Sequence, residues 1–171
     1  MGSKSKRSFF EDGIVGHVSV AQPISLELVE SIKSVQNKVD TNFHFGGSYI
    51  CIEGPQYSSR AESELYRSFG ASVIGMTNVP ESYLSVEAGI AYATVALVTD
   101  YDCWKDEACS LEEITAVINK NVSNVKELLK HLIPEIYQDK KSFEKANLNA
   151  VVTDKSLRTK EQQEILDILL N

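Results

Sequence analysis

The sequence predicts an α/β fold, a mostly parallel or mixed β-sheet covered on both faces by helices. Three observations carry this. Short apolar, β-branched runs alternate with segments of 3.6-residue period, the connections between them are short, and two of the helical segments open on capping boxes. The length of 171 residues suits one ordinary domain with a sizeable core, and 43% hydrophobic content is too high for a disordered chain. A net charge of −7 argues against a duplex nucleic-acid partner, which demands clustered Lys and Arg. No charge-free stretch reaches about 18 residues, so no segment reads as a bilayer span. Phe9 and Phe10 run straight into Glu11 and Asp12, which breaks any apolar signal segment.

Each element follows in chain order. Residues 13–20 are short, apolar and β-branched, and read as a strand. Pro23 then opens a helix whose apolar positions Leu28, Val29, Ile32, Val35 and Val39 keep the helical period. Residues 43–52 read as a strand, a break at Gly46 and Gly47, and a second strand apolar enough to be buried. Ser59-Arg60-Ala61-Glu62 is a capping box that starts a helix closed by Gly70. Residues 71–76 form another short buried strand, and Pro80 starts a helix ending near Gly89. Residues 92–98 are a fourth apolar run, ending in Thr99-Asp100-Tyr101-Asp102.

The remainder is helical. Ser110 with Glu113 is a second capping box, opening a stripe of Ile114, Val117, Ile118, Val122, Val125, Leu128, Leu129 and Leu132 that reads as core and is stopped by Pro134. Residues 138–145 turn polar, and residues 159–171 read as an amphipathic helix with Ile165, Leu166, Leu169 and Leu170 inward. There is no internal repeat and no Gly-rich phosphate loop.

In such sheets ligands gather at the carboxyl ends of strands. Two segments stand there, Met76-Thr77-Asn78 and Thr99-Asp100-Tyr101-Asp102. Asp100 and Asp102, spaced i, i+2 after an apolar run, point both carboxylates to one side. Two close carboxylates disfavour each other's ionisation, so the pair can donate and accept together. That suits a purine edge, where a ring nitrogen wants a donor and an amine wants an acceptor. The same spacing also fits an acidic loop that caps the next helix or holds a cation. Thr77, just before a helix start, fits an anion site or a plain cap.

His17 fits a donor to a sugar hydroxyl or to an adjoining subunit's ligand, and equally a core or edge histidine. Tyr57, after Gly54-Pro55-Gln56, can stack on a base or pack over a turn. Trp104 reads as structural. The basic run at residues 4–7 fits an electrostatic arm or a solvated terminus. Cys51, Cys103 and Cys109 are odd in number and form no C-x-x-C pair, which favours a reducing compartment. Asn121-Val122-Ser123 matches a glycosylation acceptor, read as chance without a secretory signal.

Five motifs in order resemble the trimeric purine nucleoside phosphorylase family, and most closely its 5′-methylthioadenosine phosphorylase branch. They are Gly16-His17-Val18-Ser19-Val20-Ala21-Gln22-Pro23, Ile52-Glu53-Gly54-Pro55-Gln56-Tyr57-Ser58-Ser59-Arg60-Ala61-Glu62-Ser63, Met76-Thr77-Asn78-Val79-Pro80-Glu81, Glu87-Ala88-Gly89-Ile90 and Thr99-Asp100-Tyr101-Asp102-Cys103-Trp104. The resemblance runs to about Ile136. It implies a purine nucleoside phosphorylase-like fold, a mixed β-sheet flanked by helices, incomplete at the N-terminal side. Residues 1–171 would then be the C-terminal part of a single phosphorylase domain, with an arm over 1–12 and a helical tail over 138–171.

The resemblance implies phosphorolysis of 5′-methylthioadenosine to adenine and 5-methylthioribose 1-phosphate, through an oxocarbenium-like transition state. It gives Asp100 the ring nitrogen of the departing adenine and Asp102 its amino group. Ser58 assists at the base and Tyr57 stacks on it. Met76 lines the ribose, Thr77 binds phosphate, and Leu111 and Ile114 pack the methylthio group beyond a shortened loop. His17 approaches the 5′ end of the sugar from a neighbouring subunit, which makes a trimer or hexamer the expected assembly. Aspartate at position 100 favours adenine over a 6-oxopurine, whose carbonyl needs a donor.

The departure lies ahead of Lys4. Family chains carry roughly a hundred further residues there, the size of a small domain, with a glycine-rich phosphate loop and an Arg-His pair. Without them the sheet would lose strands and expose an apolar edge. The expectations are therefore an enzyme completed by an N-terminal partner polypeptide, or a truncated, non-catalytic module that binds nucleosides or joins subunits. No metal or organic cofactor is expected, phosphate being a co-substrate. A cytoplasmic location is expected, with no nucleic acid and no membrane as partner.

Overall fold

The computed structural model describes residues 7–10, 13–105, 109–138, 147 and 149–170. The element order is α1 (Leu26–Val35), a 3-10 turn (Gln36–Lys38), β1 (Ser48–Cys51), α2 (Arg60–Ser68), β2 (Ala71–Gly75), α3 (Asn78–Glu87), α4 (Leu111–Gln138), a 3-10 turn (Lys155–Leu157) and α5 (Lys160–Leu170). The chain folds as two compact units. One draws on Met1–Val29, Val79–Thr94 and Ser142–Asn171, the other on Glu30–Asn78 and Val95–Lys141.

In the second unit β1 and β2 pair in parallel, the arrangement expected when a helix connects two buried strands. The register sets Tyr49 beside Val73, Ile50 beside Ile74 and Cys51 beside Gly75, and Ile52 N continues it to Gly75 O at 2.9 Å. Both strands therefore end at the same level. The connecting helix α2 has its capping box in full: Glu62 N donates to Ser59 Oγ at 3.4 Å, and Ser59 N donates to Glu62 Oε2 at 2.8 Å. Ile32, Val35, Val39, Leu128 and Leu132 are the buried apolar residues here. Ser34 of α1 donates to Glu135 of α4 at 3.3 Å, and α4 lies against the 3-10 turn at Gln36–Lys38.

In the first unit Phe10, Ile14, Ala150 and Leu166 form one cluster, with Val18, Val151, Leu169 and Leu170 against it. Beside it stands Asn147, fully buried, whose Nδ2 donates to Glu87 O at 2.8 Å and Leu169 O at 2.7 Å. That bond satisfies one of the orphan carbonyls at the end of α5. Helix α5 also opens on a reciprocal cap, Thr159 with Gln162.

Four sequence expectations are corrected. Residues 13–20 form no strand but a single antiparallel bridge, Gly16 with Val151. Val15 N donates to the Thr153 side chain at 2.7 Å, where a ladder would use a backbone carbonyl. Residues 43–47 form no strand because Gly46 and Gly47 turn to positive φ of 83° and 93° directly ahead of β1. Residues 92–98 have strand composition without a ladder, since no neighbouring strand pairs with them among the described residues. Val95, Leu97 and Val98 are correspondingly exposed.

Pro134, fourthly, does not stop α4, which runs one further turn to Gln138. Proline costs its own amide bond and a clash with the carbonyl four residues back, and the last turn of a helix absorbs this because its carbonyls are unpaired anyway. Of the apolar stripe only Leu128 and Leu132 are buried, while Ile118, Val122 and Leu129 are exposed. The expectations for residues 4–6, 139–145 and 171, and for the shortened loop at 106–108, lie outside the described residues.

Candidate active site

The parallel register decides where the candidate residues stand. Because Cys51 and Gly75 end their strands side by side, residues 53–58 and Met76-Thr77 leave the sheet at one end. The first of these segments turns at Gly54, whose φ of +67° lies in the left-handed region. A Cβ there would meet Met76 Sδ at 2.7 Å, so the glycine is what lets the two segments touch.

The acid loop is drawn to the same place. Cys103 Sγ donates to Ser58 O at 3.3 Å, which brings Ser58 to the Asp102-Cys103 turn. Asp102, half-buried, accepts the Cys103 amide at 2.9 Å, and Lys105 N donates to Asp102 O at 3.1 Å. Asp100 is exposed and accepts the Thr99 hydroxyl. Ser58 Oγ is buried without a hydrogen-bond partner, a free polar atom at the edge of the cluster. Tyr57 is 88% exposed, its ring face open.

Sequence reasoning missed what fastens this loop. Arg60 and Arg67 stand seven residues, two turns, apart on α2 and so share a face. Arg67 lies over the Trp104 ring at 4.0 Å, and Arg60 Nη1 reaches Trp104 O at 3.5 Å. Tyr101 meets Trp104 edge to face at 5.6 Å, with Lys105 Nζ 4.3 Å from the Tyr101 ring centre. Such exposed cation–π contacts are worth about 0.5–1 kcal/mol each. The available signal was two arginines at heptad spacing on the helix that follows the Tyr57-Ser58 segment.

Other candidates stand apart. Thr77 is exposed after β2. Leu111 and Ile114 lie in the first turn of α4, held by the Ser110–Glu113 box, in which Ser110 N donates to Glu113 at 2.8 Å. That hydrogen bond, with the Ser110 hydroxyl, lowers the Glu113 pKa below the usual glutamate value. Leu111 lines a shallow pocket with Glu112, Thr115, Ala116 and Asn119, and no other candidate residue borders it. His17 belongs to the first unit, exposed beside the Gly16 bridge, where its amide donates to Ala150 O at 2.9 Å. None of Cys51, Cys103 and Cys109 forms a disulfide, and no described helix is long and apolar enough to cross a membrane.

Two parallel strands ending side by side, with the Tyr57-Ser58 segment, Met76-Thr77 and the Asp102-Cys103 turn beyond them, define an α/β protein whose candidate residues stand at the carboxyl end of a parallel pair. The chain matches the phosphorylase superfamily over residues 2–134, and it belongs to that superfamily. It is 40% identical over 166 residues to the S-methyl-5′-thioadenosine phosphorylase of Geobacter sulfurreducens, covering 95% of this chain and 58% of that protein. With the Nitrosopumilus maritimus enzyme of the same name it shares 47% over 133 residues, 78% of this chain and 51% of that one.

Among solved structures it is similar to a methylthioadenosine phosphorylase sourced from an Antarctic soil metagenomic library. The TM-score is 0.90 at 38% identity, over 99% of this chain and 61% of that chain. The Schistosoma mansoni methylthioadenosine phosphorylase in complex with adenine gives 0.70 at 25% identity, over 98% and 60%. The fold is thus purine nucleoside phosphorylase-like. The chain spans about half the length of the curated relatives it matches, 51% and 58% of these two.

Proposed function

We propose that this chain carries the base-recognising part of a 5′-methylthioadenosine phosphorylase. Phosphate attacks the anomeric carbon, the bond to the base breaks, and adenine and 5-methylthioribose 1-phosphate leave. Asp100 hydrogen-bonds the ring nitrogen as the base takes up negative charge, and Asp102 accepts from the exocyclic amine. Ser58 supplies a further polar contact and Tyr57 stacks on the ring. Met76 lines the ribose, and Thr77 takes phosphate. Leu111 and Ile114 pack the methylthio group, and His17 reaches the 5′ end of a neighbouring subunit's sugar in a trimer or hexamer. No cofactor enters beyond phosphate as co-substrate, and a cytoplasmic salvage role suits three cysteines that form no disulfide.

The observation that most supports this reading is the hydrogen bond from Cys103 Sγ to Ser58 O, which brings the Ser58 backbone to the loop that carries Asp102. One finding favours a second reading, a nucleoside-binding or subunit-joining module without turnover: Asp100 and Tyr57 face solvent.

Phosphate-dependent adenine release from 5′-methylthioadenosine separates the two. It is measured with the chain alone and with a polypeptide supplying the relatives' remaining length. We expect activity in the mixture, and a loss of about 10²- to 10⁴-fold in Asp100→Asn. Adenine binding without release in either sample would sink the enzyme.

A further inference from the structure

We infer that Arg67 is a positioning residue for the acid pair, acting through Trp104. The claim deepens the proposed function, and rests on it only for the identity of the bound base. Helix α2 begins at the Ser59 cap, one residue after Ser58, so its N-terminal end is tied directly to one side of the base site. Two turns along the same face, Arg67 covers the Trp104 ring, two residues after Asp102. The helix therefore acts as a rigid strut. Its first turn fixes Ser58, its last turn fixes the far end of the acid loop, and the Cys103 thiol closes the triangle onto Ser58 O.

Arg60 of the same helix adds a tie at Trp104 O, which holds the backbone but not the ring. Residues 99–105 contain no helix or strand, and Asp100 and Tyr101 are exposed, so burial does not order them. A planar guanidinium suits the task better than an ammonium, because it stacks on the indole face while leaving its edge hydrated. Arg67 is itself exposed, and its replacement leaves no buried charge behind. Loss of the contact should loosen the loop without unfolding the chain.

Trp104 is the one tryptophan, so its fluorescence reads the stack directly. In Arg67→Ala, acrylamide should quench Trp104 more strongly and the amides of 101–105 should exchange faster with deuterium. Arg67→Lys, which keeps the charge but loses the planar stack, should restore only part of both. Adenine, titrated by calorimetry, should bind Arg67→Ala about three- to tenfold more weakly than the parent chain, with Arg67→Lys in between. Unchanged quenching and exchange in Arg67→Ala overturn the inference. So does a loosened loop with undiminished adenine affinity, since Arg67 would then hold the loop without positioning the acids. If the parent chain binds no adenine, it is the functional reading that fails, and quenching and exchange still decide whether Arg67 holds the loop.

Discussion

Two knots in this molecule are tied by opposite means. Around Leu166 and Asn147, both 0% exposed, the first unit removes apolar surface from water and pairs a buried amide with two backbone carbonyls. Around Trp104 the second unit orders a loop whose Tyr101 stays 63% exposed, using a stacked guanidinium, a thiol and turn amides. The difference follows from what each must do. A buried knot gains by removing surface from water, whereas a loop that keeps its polar groups presented outward depends on several weak lateral contacts.

The strongest way to break this contrast is to hollow the first knot. Leu166→Ala should cost about 2–5 kcal/mol, the range for a leucine deleted from a packed site. Urea unfolding followed by circular dichroism measures it. Trp104 emission before the transition should stay at its parental wavelength, because Arg60, Arg67 and Ser58, which hold the loop, belong to the second unit. A cost below about 1 kcal/mol would show that the cluster collapses onto the gap or was never tightly packed.

At the site itself, Gly54→Ala should cost less, about 1–2 kcal/mol, the price of a left-handed backbone for an L-residue. Here a second effect is expected, since the new methyl would fall 2.7 Å from Met76 Sδ and the thioether must move. The chain has two methionines, Met1 and Met76, so a shifted Met76 methyl resonance is simple to assign. Parental shifts together with a parental melting temperature would refute the close approach.

What was legible in the sequence follows the same division. Local grammar read well: the Ser59–Glu62 and Ser110–Glu113 boxes, the stop at Gly70, and strands at 48–51 and 71–75 all depend on neighbours within a few residues. Strands at 13–20 and 92–98 were misjudged because composition marks extended, apolar chain but not the partner a ladder requires. Thr159-Lys160-Glu161-Gln162 carried the capping signature in plain view, with Gln in place of Glu. Asp100 and Asp102 stood out as candidates by their spacing and Ser58 by the family resemblance, yet the ties through Cys103 and Arg67 join positions 45 and 37 residues apart, which local spacing does not encode.

The smallest expected effect tests how the two ends of α2 differ, one tied by an ion-assisted cap and the other by the indole. The Ser59 amide, and then its hydroxyl, hydrogen-bond the Glu62 carboxylate and lower its pKa below the usual glutamate value. A carboxylate whose folded pKa is depressed adds stability above its unfolded pKa, about 4.3. That contribution is lost as pH falls through the lower folded value. The cap should therefore hold near neutrality and loosen only in acid. A carbon-detected titration should place Glu62 below the usual glutamate value, and Ser59→Ala should move it part of the way back. The Arg67 stack carries no group titrating in that range, so Trp104 quenching should stay flat across the same acid limb. Quenching that rises in step with Glu62 protonation would mean the two ends of the strut are one cooperative unit, and the contrast between them would go.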